Sequence, residues 1–230
     1  MLDRIRFWMG TDEPLGREWK DFFQMLAMGR DLYGDAWAVL YGETDREAVK
    51  DDIYRSDVAI NKSERKLRKQ LVTHLAVNPE QDAVGCLLLM SLVKDAERIG
   101  DCCKNIYEAA CMLGRSGEEL RYWERLEDFG RRVDETFEQT IRAMKNESPD
   151  VAEEVVREEV EMNREFDSFI EDLASSDLDA RQTAGTVLLV RAVKRVRAHL
   201  SNVASSVVMP LPQLDHRPRD LRPRREKKAT

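Results

Sequence analysis

Turn signals interrupt this chain at only five internal places, and between them apolar residues recur with the period of a helix. The breaks are Gly42 to Thr44, Asn78-Pro79-Glu80, Gly114 to Gly117, Ser148-Pro149-Asp150 and Ser176-Asp177. The first interval, Gly16 to Tyr41, carries Trp19, Phe22, Leu26, Tyr33, Trp37 and Leu40 at helical spacing and is stopped by Gly42. Thr44, with Glu47 three residues on, reads as the cap of a second helix running to Val77. A third ends near Gly114, a fourth runs from Ser116 to Asn146, a fifth ends near Ala174, and a sixth, opened by Ser176-Asp177, reaches Val208. Six long helices joined by short turns make antiparallel neighbours, so the predicted class is all-α.

Composition agrees. Charged residues make up 35% of the chain, above the usual figure of about 25%, and only 7 Pro and 11 Gly are present. Long helices with solvated faces are the expected outcome. Residues 1–15 read as a mixed lead-in, with a turn at Gly10 to Pro14 and with Phe7 and Trp8 available to pack back on the body. Residues 210–230 carry seven Lys/Arg against three acids and read as a basic, disordered tail. The net charge of -7 therefore leaves a strongly acidic body, which argues against nucleic acid as a partner. Charges in the first six residues exclude a signal peptide, and the longest apolar run, Ala83 to Val93, falls short of a membrane span. Four cysteines without C-x-x-C spacing fit free thiols in a reducing compartment. The expected location is cytoplasmic, with the membrane reached only through a partner.

The stretch Lys94 to Glu108 holds the chemistry. Glu97 and Asp101, four residues apart, share one face of the third helix. On a helical wheel they lie opposite the stripe of Leu92, Ile99 and Ile106, so the expectation is an outward face. Two readings stay open there: a cation held between helices, or a solvated face with Lys94, Arg98 or Lys104 as ion-pair partners. The same stretch pairs with Lys194 to Val203 at an offset near one hundred residues, and Asp57 to Asn61 pairs similarly with Glu159 to Asn163. A duplicated three-helix bundle follows, divided into residues 16–115 and 116–209.

At Glu97-Arg98-Ile99-Gly100-Asp101, Asn105-Ile106 and Glu108, with Pro79 and Asp82 before them, the sequence resembles the PhoU family of phosphate-signalling proteins. The resemblance covers about residues 16–209, although Ala83-Val84 depart from the family's usual residues. It implies a cytoplasmic, non-catalytic adaptor between a phosphate transporter and a sensor histidine kinase. It also implies carboxylate metal sites on the second and third helices of each repeat. In the first repeat these positions are Asp57, Asn61, Glu97 and Asp101, an oxygen set suited to Fe, Zn, Mn or Mg. Asn61 stands where the family carries an acid, which disfavours a multinuclear cluster.

In the second repeat the counterparts are Glu159, Asn163, Lys194 and Ala198, and an ammonium at Lys194 argues against a metal. A Lys194 to Glu159 ion pair is expected instead. Arg191, Arg195 and Arg197 form a basic strip that could face an anion or an acidic partner, or simply solvent. Asn105 and Asn202 are expected to tie helices together. A homodimer is compatible with the bundle, and nothing in the sequence fixes it. The enzyme alternative, a carboxylate-bridged di-iron centre, needs Glu-x-x-His pairs that no helix here supplies. A scaffold with a vestigial metal motif is the remaining alternative.

Overall fold

The computed structural model describes residues 15–77, 79–114, 116–146 and 148–214; the lead-in up to Pro14 and the tail from Asp215 lie outside them. Six long helices account for most of the described chain: α1 Gly16–Tyr41, α2 Arg46–Val77, α3 Pro79–Leu113, α4 Trp123–Asn146, α5 Pro149–Ala174 and α6 Ala180–Ser205. No strand occurs among the described residues.

The ends are set by local chemistry. Gly42 closes α1 at φ 75°, a left-handed conformation that an L side chain resists, and its N–H reaches the carbonyls of Ala38 and Val39. α2 is capped by Asp45 rather than by Thr44: one carboxylate oxygen accepts from the N–H groups of Glu47 and Ala48, at 2.9 and 3.1 Å. Pro79 and Pro149 each open a helix, where a missing N–H costs nothing. Ser116 does not start α4. It caps a short 3₁₀ turn, Gly117–Glu119, through a reciprocal bond with Glu119, and the α-helix begins only at Trp123. The sixth helix is likewise capped later than expected, by Asp179.

Helix contacts arrange α2, α3, α6 and α5 side by side, with α1 packed on α2 and α3, α4 packed on α5 and α6, and α1 and α4 touching each other. The α3–α6 seam is the most extensive contact in the molecule, and it runs antiparallel: Leu113 meets Gly185 at one end while Asp95 meets His199 and Asn202 at the other. The core is continuous across the seam and includes Trp19, Phe22, Ile99, Cys103, Phe137, Phe166 and Leu200. α1 and α4 join the groups at a second place, where the Tyr33 hydroxyl donates to the Gly130 carbonyl and the Arg30 guanidinium grips Asp134 and Glu138.

Candidate functional site

α2 and α3 lie antiparallel, and a ladder of polar contacts runs between them. Tyr54 donates to Glu108 at 2.9 Å, Lys104 reaches Asp57 at 2.9 Å, Lys94 lies 3.8 Å from Glu64, and His74 bonds Asp82 at 2.8 Å. The predicted residues fall in the middle of this ladder. The expected outward face is not what forms. Asp57 and Glu97 are only 7 and 8% exposed, and Asp101 is partly covered. A wheel places residues on one helix without its neighbours. α3 is contacted by α1, α2 and α6, so α2 covers the side opposite the apolar stripe.

Each carboxylate meets a cation of the chain's own. Lys104 Nζ sits 2.9 Å from Asp57 Oδ2 and 3.8 Å from Asp101 Oδ1. Arg98 holds Asp101 at 3.2 Å and Glu97 at 3.6 Å, and Lys94 holds Glu97 at 2.9 Å. Asn61 turns its amide N–H to the Asp57 carbonyl, 3.0 Å away. Asp57 Oδ1 remains buried without a hydrogen-bond partner.

Burial lowers the Lys104 pKa. The hydrogen bond to Asp57 and the charges of Asp57, Asp101 and Glu108 outweigh that and hold it above the ordinary lysine value, so the group stays an ammonium.

These donors do not fit a metal. Among the described residues no three His, Cys, Asp or Glu side chains converge as a metal-binding group. A dication about 4 Å from the ammonium would be repelled by roughly 8 kcal/mol at an effective dielectric of 20. One leftover Asp57 oxygen does not make a coordination shell.

The second-repeat counterparts are placed differently. Lys194 pairs with Asp167, about two turns along α5 from Glu159, so the expected Lys194 to Glu159 pair gives way to a more exposed one. Glu159 and Asn163 are both buried, and the asparagine amide donates to the glutamate. Ala198 is half-buried and contributes no polar atom from its side chain.

Arg197 is the largest departure from expectation. Assigned to a partner-facing strip, it is 1% exposed and lies in the α5–α6 contact. Its Nη2 donates to the Val155 carbonyl at 2.8 Å and lies 3.6 Å from Glu158, while Nε and Nη1 find no hydrogen-bond partner. Burial, offset only in part by Glu158 and Glu159, lowers its pKa to about 10. A position nearly five turns into an amphipathic helix carries no mark, in sequence, of which neighbour will cover it.

Arg191 and Arg195 are exposed and do line a surface. With Asn105, Glu108, Ala109, Met112, Leu188 and Ala192 they border a groove of about 390 Å³ between α3 and α6. No carboxylate among the described residues lies within salt-bridge distance of either guanidinium. Met112 and Leu188 stand 41 and 49% exposed beside them, and Ala109 and Ala192 are buried. Asn105 therefore faces the groove, whereas Asn202 ties helices as expected: it donates to Asp95, which also bonds His199 Nδ1 at 2.8 Å. That buried Asp95 was not singled out from sequence. Its spacing from Lys94 and Ala96 says nothing about the partner helix more than one hundred residues away.

All four cysteines are free. Burial pushes Cys86 and Cys102 up to about 11 and raises Cys103 well above the ordinary thiol value, so these thiols are poor nucleophiles near neutrality.

The PhoU domain sequence family matches residues 22–110 and 126–207, most of the chain. The chain belongs to the PhoU family. A PhoU homologue from Pseudomonas aeruginosa, described as a phosphate-specific transport system accessory protein, is 25% identical over 159 residues; the match spans 66% of this chain and 65% of that relative. The crystal structure of PhoU from the same organism superposes with a TM-score of 0.77 at 21% identity, covering 86% of this chain and 97% of that one. The phosphate transport system regulatory protein PhoU from Streptococcus pneumoniae superposes at 0.74 and 16% identity, covering 84 and 92%. The all-α PhoU fold expected from the sequence is thus the one present. No helix among the described residues is long and apolar enough to cross a membrane.

Proposed function

We propose that this PhoU-family chain is a cytoplasmic, non-catalytic regulator of phosphate uptake, and that it docks on acidic helical surfaces of a phosphate transporter and a sensor kinase through the α3–α6 groove. Family membership and the accessory-protein description of the Pseudomonas relative support the phosphate link. The observation that carries the docking surface is the pair Arg191 and Arg195. Their neighbours on α3 and α6, Lys94, Arg98, Lys104 and Lys194, are each paired with a carboxylate of the chain. In a chain with net charge -7, two guanidinium groups outside salt-bridge distance of any described carboxylate, beside exposed Met112 and Leu188, offer an acidic, amphipathic helix both of its contacts. Arg197, being buried, takes no part.

The test is a binding measurement between the full chain and the purified cytoplasmic parts of the transporter and kinase from the same organism. Arg191→Glu with Arg195→Glu is expected to weaken binding by at least about tenfold, the loss of 1.4 kcal/mol or more. Both side chains are exposed, so thermal stability should stay unchanged. Binding unaffected by the double charge reversal would move the docking surface elsewhere.

A further inference from the structure

The carboxylates between α2 and α3 are arranged for a cation, and the chain brings its own. Asp57 and Asp101 come from different helices, and both lie within 4 Å of a single ammonium, that of Lys104. Lys104 is 22% exposed and Asp57 9% at their side chains, so the pair is shielded and its geometry is fixed by two packed helices. Gly100, one turn before Lys104, is what allows the approach: a Cβ there would stand 2.9 Å from Ile60 Cδ1. The helices are close enough for a lysine stem to span the gap.

We propose that Lys104 is the resident cation of the first-repeat carboxylate site: its ammonium stands where a metal ion would bridge Asp57 and Asp101, and α2 and α3 are braced without metal. The second repeat reaches the same end from another position. Arg197, which aligns with Gly100 rather than with Lys104, buries its guanidinium between α5 and α6 beside Glu158. Each repeat therefore sets a cation of its own chain against acids in the contact of its last two helices. A chain built this way holds its shape whatever the metal supply. The inference rests on the geometry of the carboxylate site and is independent of the docking groove.

Thermal unfolding of the full chain in EDTA and in millimolar Mn²⁺ tests it, with the metal alone as probe. The wild-type midpoint should be the same in both. Lys104→Met should unfold several degrees lower in EDTA and recover part of that loss in Mn²⁺, because the freed carboxylates then take a dication. Lys104→Met combined with Asp57→Asn should return towards wild type with no response to Mn²⁺, since Asp57 is then neutral and Asp101 keeps Arg98 as its partner. If Lys104→Met alone fails to fold, a folded, metal-insensitive double variant still supports the proposal. A wild-type midpoint that rises in Mn²⁺ and loses that response in Asp101→Asn would overturn it. So would a Lys104→Met variant as stable in EDTA as the wild type.

Discussion

Two glycine-to-alanine substitutions, both inside helices, should move stability in opposite directions. Gly130 lies on α4 where that helix packs against α1. A Cβ there would stand 2.6 Å from two ring carbons of Trp37 and 2.8 Å from a third, against about 3.4 to 4 Å for ordinary contact. The ring would have to withdraw by nearly 1 Å. It is 4% exposed and packed between Tyr33 and Tyr41, with centroids 5.9 and 6.0 Å away, and a rigid indole has no flexible end to bend aside. The Tyr33 hydroxyl also donates to the Gly130 carbonyl, so a shift of α4 strains that bond too. Overpacking of this kind costs about 1 to 3 kcal/mol or more. Alanine returns about 1 kcal/mol of helix propensity. With three ring atoms inside contact distance the upper part of the range applies, and Gly130→Ala is expected to lose about 2 kcal/mol net. That corresponds to a midpoint roughly 4 to 8 °C lower for a chain of this size. Gly34 is on α1, exposed, with nothing within 4 Å of an added Cβ. Gly34→Ala should therefore gain up to about 1 kcal/mol, or roughly 2 to 4 °C. Differential scanning calorimetry of the two variants beside the wild type decides it. A Gly130→Ala midpoint at or above the wild type's would refute the claim that the close approach of α1 and α4 is set by a glycine-indole contact.

Two further outcomes can be measured on the same samples. Asp95→Ala removes the acceptor shared by His199 and Asn202 across the α3–α6 seam, and loss of hydrogen bonds to a buried charge should cost about 2 kcal/mol or more; a double-mutant cycle with Asn202→Ala showing strict additivity would deny the coupling. Raised thiols bind their protons more tightly folded than unfolded. Between the ordinary thiol range near 9 and about 11, the unfolded chain therefore releases protons that the folded chain keeps, and stability should fall as pH rises through that window. Thiol titration at mild alkaline pH should label half-buried Cys111 first and the buried three only on unfolding. Equal labelling rates would contradict the burial.

What the sequence reveals here follows the range of the interactions involved. Helix number and most boundaries are local matters of period, proline and glycine, and α1 and α5 begin and end where those signals put them. The caps that moved, from Thr44 to Asp45 and from Ser176-Asp177 to Asp179, moved among neighbouring residues of similar capping chemistry, which propensity ranks almost equally. The PhoU pattern was legible because it depends on residues within about three turns of one helix, from Glu97 to Glu108. Burial of Glu97 and Arg197 was not legible. Their exposure is decided by α2 and α5, helices whose positions a single-helix wheel does not contain. Lys104 was recognisable as an ion-pair partner by its spacing from Asp101, but its reach to Asp57, forty-seven residues back in the chain, required the antiparallel register of α2 on α3.

That register also explains why the two halves differ at their corresponding sites. In the first repeat Gly100 brings α2 and α3 close enough for Ile60 to rest on bare backbone, and the carboxylates then sit at the rim, where a lysine one turn on can reach both. In the second repeat an arginine occupies the glycine's place. Its guanidinium is buried in the α5–α6 contact itself and bonds the Val155 backbone. Two of its donors go unsatisfied there, a penalty that a well-packed apolar side chain would avoid. Charge at this depth is retained where something nearby requires it, and the nearby groups are Glu158 and the buried Glu159, whose charges act on it. Substituting Arg197 alone therefore removes the buried cation whose charge acts on Glu158 and Glu159. The two repeats are better understood as two solutions to the same problem of holding acids between helices.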